Sequence, residues 1–169
     1  MDAAALRAMQ APIKERLKSD PKSGLITLKA KGSTDSDGIA CKVETGRAIA
    51  IAGLHPATGG SGLELCSGDM LLEALVACAG VTLKSVATAI EVPLRQGLVF
   101  AEGDIDFRGT LGVDKEAPVG FAEIRLRFAV DTDAAQDKLD LLLKLTERYC
   151  VVYQTIKNGP KISVSMQRI

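Results

Sequence analysis

Apolar positions along the chain fall into two periods. Residues 2–18 carry Leu6, Met9, Ile13 and Leu17 at spacings of three and four, with basic residues between them, which predicts an amphipathic helix. Asp20-Pro21-Lys22-Ser23-Gly24 ends it. The period then drops to two. Residues 26–31 and 39–44 read as strands joined by the turn Thr34-Asp35-Ser36-Asp37-Gly38, and residues 48–52 as a third short strand. A loop rich in glycine, residues 55–62, leads into a long helix over about 67–91, with Ser67 as its expected N-cap and Pro93 beyond its end. Two longer strands follow at 97–109 and 120–130. Then come an amphipathic helix at 133–149, a shorter one to Lys157, the turn Asn158-Gly159-Pro160 and a last strand at 162–166. Strands joined by short turns, with helices grouped apart, predict an α+β fold with a mainly antiparallel sheet around a long central helix. The chain reads as one domain over residues 1–169, of which 1–20 form an N-terminal helical extension.

The central helix sets the next expectation. From Met70 to Leu83 its only charge is Glu73, and it is rich in small residues: Ala74, Ala77, Cys78, Ala79 and Gly80. A helix apolar on nearly every side must be covered on nearly every side. Glycine inside a helix costs about 1 kcal/mol relative to alanine, so a closely approaching backbone is the reason expected for Gly80. A homodimer with this helix at its centre is therefore predicted. The apolar run is 14 residues, short of the roughly 20 that a bilayer span requires, so no membrane is expected.

Charge changes little. The 21 Lys and Arg balance 21 Asp and Glu, aromatic residues are 4% of the chain and Trp is absent. Neither a basic footprint nor a stacking platform for nucleic acid is present. Residues 1–18 hold no uninterrupted apolar run of a secretory leader, which points to a cytoplasmic protein. Thiols are reduced by default there, so the 4 cysteines suggest chemistry or packing. No Cys-x-x-Cys pair exists and His55 is the single histidine, so no metal ligand set is legible and a Cys–His hydrolase has little to work with.

Cys78 and Cys150 lie 72 residues apart in two apolar helical contexts. If folding joins them, one thiolate can attack an electrophile and the other thiol can close a disulfide. Cys78 is some ten residues into its helix, beyond the reach of that helix's own dipole. A cation is therefore expected to ionise it. Arg47, at the strand break after Gly46, suits the task, with Lys84, Arg125 and Arg148 as other cations. Leu72, Leu75, Val76, Tyr149 and Tyr153 would wall the pocket with apolar surface. Cys41 and Cys66 read as packing residues.

The run Gly46-Arg47, Gly59-Gly60 and Gly68-Asp69-Met70-Leu71-Leu72-Glu73-Ala74-Leu75-Val76-Ala77-Cys78 resembles the OsmC/Ohr family pattern of a Gly-Gly pair followed by P-x-E-L-L-x-A-L-x-x-C. Cys150-Val151-Val152-Tyr153-Gln154-Thr155-Ile156 resembles that family's second motif, C-P-V-x-x-x-L. The resemblance runs from about residue 25 to the C-terminus. It implies an OsmC-like fold in an intertwined homodimer with active sites at the subunit interface, and reduction of organic hydroperoxides at the expense of an external dithiol. It implies Cys78 as the attacking thiol, Cys150 as the resolving thiol, Arg47 as the activating arginine and Asp69 as the motif acid. No metal, haem or flavin is implied.

The chain departs from the pattern at three places. Gly68 stands in the region of the first proline, Asp69 replaces glutamate, and Val151 follows the second cysteine where the pattern has proline. Asp69 is also about half a turn off the Cys78 face, which leaves Glu73 as the alternative acid. These departures keep open a second reading, a non-catalytic binding or interaction module whose cysteines only pack.

Overall fold

The computed structural model describes residues 2–19, 31–33, 40–44, 49–112 and 114–168. Helix α1 spans Ala3–Ser19. It starts where Asp2 Oδ1 accepts a hydrogen bond from the Ala5 N–H at 2.7 Å. The helix runs on through Pro12. It packs on the long helix, with Ala3 and Leu6 buried and Met9 51% exposed; the Ile13 and Leu17 side chains lie outside what the structure describes.

A four-stranded sheet follows, made of β1 (Lys31–Ser33), β2 (Ala40–Glu44), β3 (Ile49–Gly53) and β4 (Leu65–Cys66). The first three strands are antiparallel neighbours, with Lys42 opposite Ile51. β4 was not foreseen. It lies parallel to β3, with Gly53 beside Cys66. The excursion between them holds a 3₁₀ turn at Pro56–Thr58 and the left-handed Gly59. Gly60 presses against the Leu54 carbonyl, where a Cβ would collide. The glycine-rich loop is thus a packed crossover.

Helix α2 spans Ser67–Ala89. Cys66, in extended conformation, occupies its N-cap and makes no side-chain capping bond; Ser67 is the first helical residue, which corrects the expected cap. Strands β5 (Gln96–Ile105) and β6 (Phe121–Asp131) form a separate antiparallel pair with a register shift at Asp104/Ile105. The first strand stops earlier than expected because Asp106 accepts the Arg108 N–H and starts the four-residue helix α3, Phe107–Thr110. Helices α4 (Gln136–Tyr149) and α5 (Val151–Asn158) follow. The expected last strand is absent: residues 159–168 belong to no strand, and Ile162, Val164 and Met166 are 78–100% exposed.

The core gathers Leu83, Val86, Ala87, Val92 and Leu142, with Phe128, Val130, Leu139 and Leu145 against them. Along α2, Leu75, Ala79, Leu83 and Val86 form the inner stripe. The opposite stripe, Ala74, Ala77 and Val81, is exposed. α2 has 23 residues and enough apolar character to cross a bilayer by length and composition, more than the 14-residue run suggested, with 28% of its most apolar stretch buried within the subunit. Its contacts with β5, α4, α5 and α1 make it the spine of the fold.

Candidate functional site: a thiol pair at a helix corner

α4 and α5 abut at Cys150 with one residue between them. The Cys150 N–H donates to the Thr146 carbonyl at 3.0 Å, closing α4, and the Gln154 N–H donates to the Cys150 carbonyl at 2.9 Å, opening α5. Cys150 is therefore at once the last cap of one helix and the first of the next, with φ −73° and ψ 107°. The Gln154 side chain fastens the corner by donating to the Glu147 carbonyl at 2.8 Å. No glycine or proline marks this bend, so composition does not announce it.

The corner turns the Cys150 thiol inward, where the residue is 1% exposed, and brings it onto Cys78 of α2. Both cysteines are free thiols, and Cys78 is the more accessible of the two. Burial pushes the Cys78 thiol up, but hydrogen bonds from the Val152 N–H, the Cys150 thiol, the Val151 N–H and the Thr82 hydroxyl outweigh it and hold the thiol below its ordinary value. The Thr82 hydroxyl donates to the Cys78 carbonyl at 2.8 Å. Burial pushes the Cys150 thiol above its ordinary value; the Tyr153 N–H opposes this, and the neighbouring Cys78 adds to it. The two thiols are thus split in the sense a nucleophile and a resolving group require.

Neutral donors, as well as a cation, can favour the Cys78 thiolate. Its own helix dipole is indeed too far away. The first turn of a different helix, α5, has N–H groups without an acceptor in that helix, and those of Val151 and Val152 lower the Cys78 thiol. Val151, Val152 and Thr82 were missed in the sequence because the useful donors are backbone groups or a hydroxyl whose aim depends on tertiary packing. Arg47 lies outside the described residues. Among the other cations, Arg125 is committed to Asp104 at 2.5 Å and Glu123 at 3.1 Å. Lys84 is exposed, and Arg148 lies over the Tyr149 ring at 5.9 Å.

Asp69 is placed apart from the thiols. It is exposed in the first turn of α2, beside a depression shared with His55, Cys66, Leu72 and Asp104, and a separation of nine residues is roughly 13 Å along a helix. Glu73 is exposed on α2. The expected apolar wall is split as well. Leu75 and Tyr153 line an apolar cavity of about 660 Å³ between α2, β6, α4 and α5, with Leu71, Phe121, Leu126, Phe128 and Ile156. Leu72 belongs to the depression beside Asp69, and Tyr149, 60% exposed, borders an outer groove near Cys150. The chain does not assemble these four side chains into one pocket among the described residues. His55 caps the 3₁₀ turn by accepting the Ala57 N–H at 3.0 Å and stacks on Phe107, away from the thiols.

Comparison with known proteins follows the same lines. No curated protein matches the chain. Among solved structures it is similar to an OsmC-like protein from Mycoplasma pneumoniae, at 15% identity and TM-score 0.65, covering 79% of this chain and 89% of that one. It is also similar to an organic hydroperoxide resistance protein OsmC from Legionella pneumophila, at 17% identity and TM-score 0.61, covering 80% and 92%. A third likeness is to an organic hydroperoxide resistance protein from Elizabethkingia anophelis, at 15% identity and TM-score 0.62, covering 80% and 91%. At such identities the likeness concerns the fold. The family model described as OsmC-like protein matches residues 60–165, a stretch that begins at the packed Gly60 and takes in α2, both long strands and the thiol corner, and on that match the chain belongs to the OsmC-like family.

Proposed function

We propose that this protein is a thiol-dependent peroxidase that reduces organic hydroperoxides to alcohols. The observation that supports the reading most is the pairing of Cys78, lowered and accessible, with Cys150, raised and buried, at the α4–α5 corner. The Cys78 thiolate attacks the hydroperoxide oxygen distal to carbon. The O–O bond breaks, the sulfur is oxidised to a sulfenic acid, and the alkoxide leaves and takes up a proton as the alcohol. The Cys150 thiol then displaces hydroxide from that sulfenic sulfur. Its own proton accompanies the hydroxide as water, and a Cys78–Cys150 disulfide remains. An external dithiol reduces the disulfide and leaves as its own disulfide. No resident cofactor enters this sequence. Neighbours named for organic hydroperoxide resistance support the substrate class. Arg47 is proposed to hold the peroxide, and reduced thiols suit a cytoplasmic setting.

A homodimer completes the site in this reading. It would cover the Ala74–Val81 stripe of α2 and bring together apolar walls that one subunit keeps apart. The test is thiol chemistry. One equivalent of cumene hydroperoxide removes two thiols per chain and leaves a mass lower by two hydrogens. Cys78→Ser abolishes the loss. Cys150→Ser stops at a sulfenic acid trapped by dimedone. A wild-type chain that loses no thiol supports the binding-module reading instead, and a Cys150→Ser chain that turns over normally with a dithiol removes the resolving role.

A further inference from the structure

Among the described residues, one buried side-chain polar atom has no hydrogen-bond partner: the hydroxyl of Thr146, a residue 1% exposed. A threonine inside a helix commonly donates its hydroxyl to the carbonyl four residues earlier. Thr82 and Thr88 of α2 do so, each at 2.8 Å. Thr146 of α4 does not. A buried hydroxyl left unpaired lowers stability, so its presence calls for a reason outside the resting fold.

Its place supplies one. Thr146 lies one turn before Cys150 on the same face of α4, and the Cys150 N–H donates to the Thr146 carbonyl at 3.0 Å. Cys150, like Thr146, is 1% exposed. In the peroxidase reading, on which this inference rests for its purpose, closing the disulfide breaks the Cys150 S–H bond. The sulfur's electron pair forms the bond to the Cys78 sulfur, and the proton leaves with the displaced hydroxide as water. While that proton is in transit, Cys150 carries negative charge in a buried place, where an anion without a donor is costly. We infer that Thr146 is a positioning residue for the resolving sulfur: its hydroxyl is a donor left free in the dithiol state and given to Cys150 as that sulfur becomes negative. From α2 the titrating group that faces Cys150 is Cys78, while Glu73 and Lys84 are exposed. On α4 Arg148 and Tyr149 are exposed and Glu147 is half-buried; on α5 Tyr153 is half-buried and Lys157 exposed.

The test reads Cys150 without any peroxide. In the full chain carrying Cys78→Ala, iodoacetamide alkylation of Cys150 is followed against pH by peptide mass spectrometry. Thr146→Val, close in shape but without the hydroxyl, should move the Cys150 profile to higher pH and slow alkylation several-fold on its rising limb. Thr146→Ser, which keeps the hydroxyl, should superimpose on the Cys78→Ala parent. Urea titration separates this from a structural role: Thr146→Val removes an unpaired polar group, so its midpoint should be no lower than the parent's. Superimposed profiles for the parent and Thr146→Val would overturn the inference. A lowered midpoint or an unfolded Thr146→Val chain would overturn it too, by showing that the hydroxyl serves the fold. Thiol loss on cumene hydroperoxide is measured separately in the chain that keeps both cysteines. No thiol loss with a shifted Thr146→Val profile removes the peroxidase reading and leaves the donor role at Cys150 standing; thiol loss with an unmoved profile does the reverse.

Discussion

At the scale of residues, the groups that hold the Cys78 thiol below its ordinary value include several with no charge of their own. The Val152 and Val151 N–H groups, the Cys150 thiol and Thr82 together outweigh the burial that would keep Cys78 protonated. The sign of the pH dependence follows. A thiol held below its ordinary value reaches full thiolate at lower pH than a free cysteine and loses it as pH falls through that lowered value. Cys150, raised by burial, stays protonated where Cys78 has ionised. At pH 7 iodoacetamide should therefore modify Cys78 well before Cys150, and the Cys78 rate should level off below the ordinary thiol range, near 8.5 for free cysteine. Peptide mapping of a timed alkylation series checks both points, and equal rates at the two sites would contradict the split.

At the scale of elements, α2 does two jobs with two faces. Its inner stripe builds the core with α4 and β6, which holds the corner that carries Cys150 against Cys78. Leu142, 2% exposed, is the α4 residue in that core. Leu142→Ala should destabilise the chain by about 2–5 kcal/mol, through lost transfer free energy and the cavity left behind. A urea titration checks this as a lower midpoint at unchanged slope. Because α4 positions the corner, the same variant should blunt the difference in reactivity between the two thiols before global unfolding begins.

At the scale of the whole molecule, the unmet surface is apolar. Val81 is 74% exposed on the outer stripe of α2, beside Ala74 and Ala77, and the cavity that holds Leu75 and Tyr153 contains neither Leu72 nor Tyr149. A contiguous apolar stripe on the central helix is the signature of a partner surface. Val81→Asp should split the proposed dimer, seen as halved mass in sedimentation at micromolar concentration. A wild-type chain that sediments as a stable monomer would contradict the dimer.

The helices and several strands were legible in local pattern: spacings of three and four in α1, period two in the strands, and for α2 a long apolar run before Pro93; the strand expected at 26–31 lies outside the described residues but for Lys31. The two thiols stood out because cysteine is rare and its chemistry travels with the residue. What local pattern could not carry were relations between distant backbones. The parallel seat of β4 beside β3 depends on a crossover that only packing closes. Residues 162–166 alternate as a strand does, but a strand exists only with a neighbour to receive its hydrogen bonds, and among the described residues they have none. The separation of Asp69 from Cys78, and the donors that α5 aims at that sulfur, were likewise decided by tertiary structure. An N–H is the same group at every residue but proline, and it acquires a role only when folding gives it a direction and a partner.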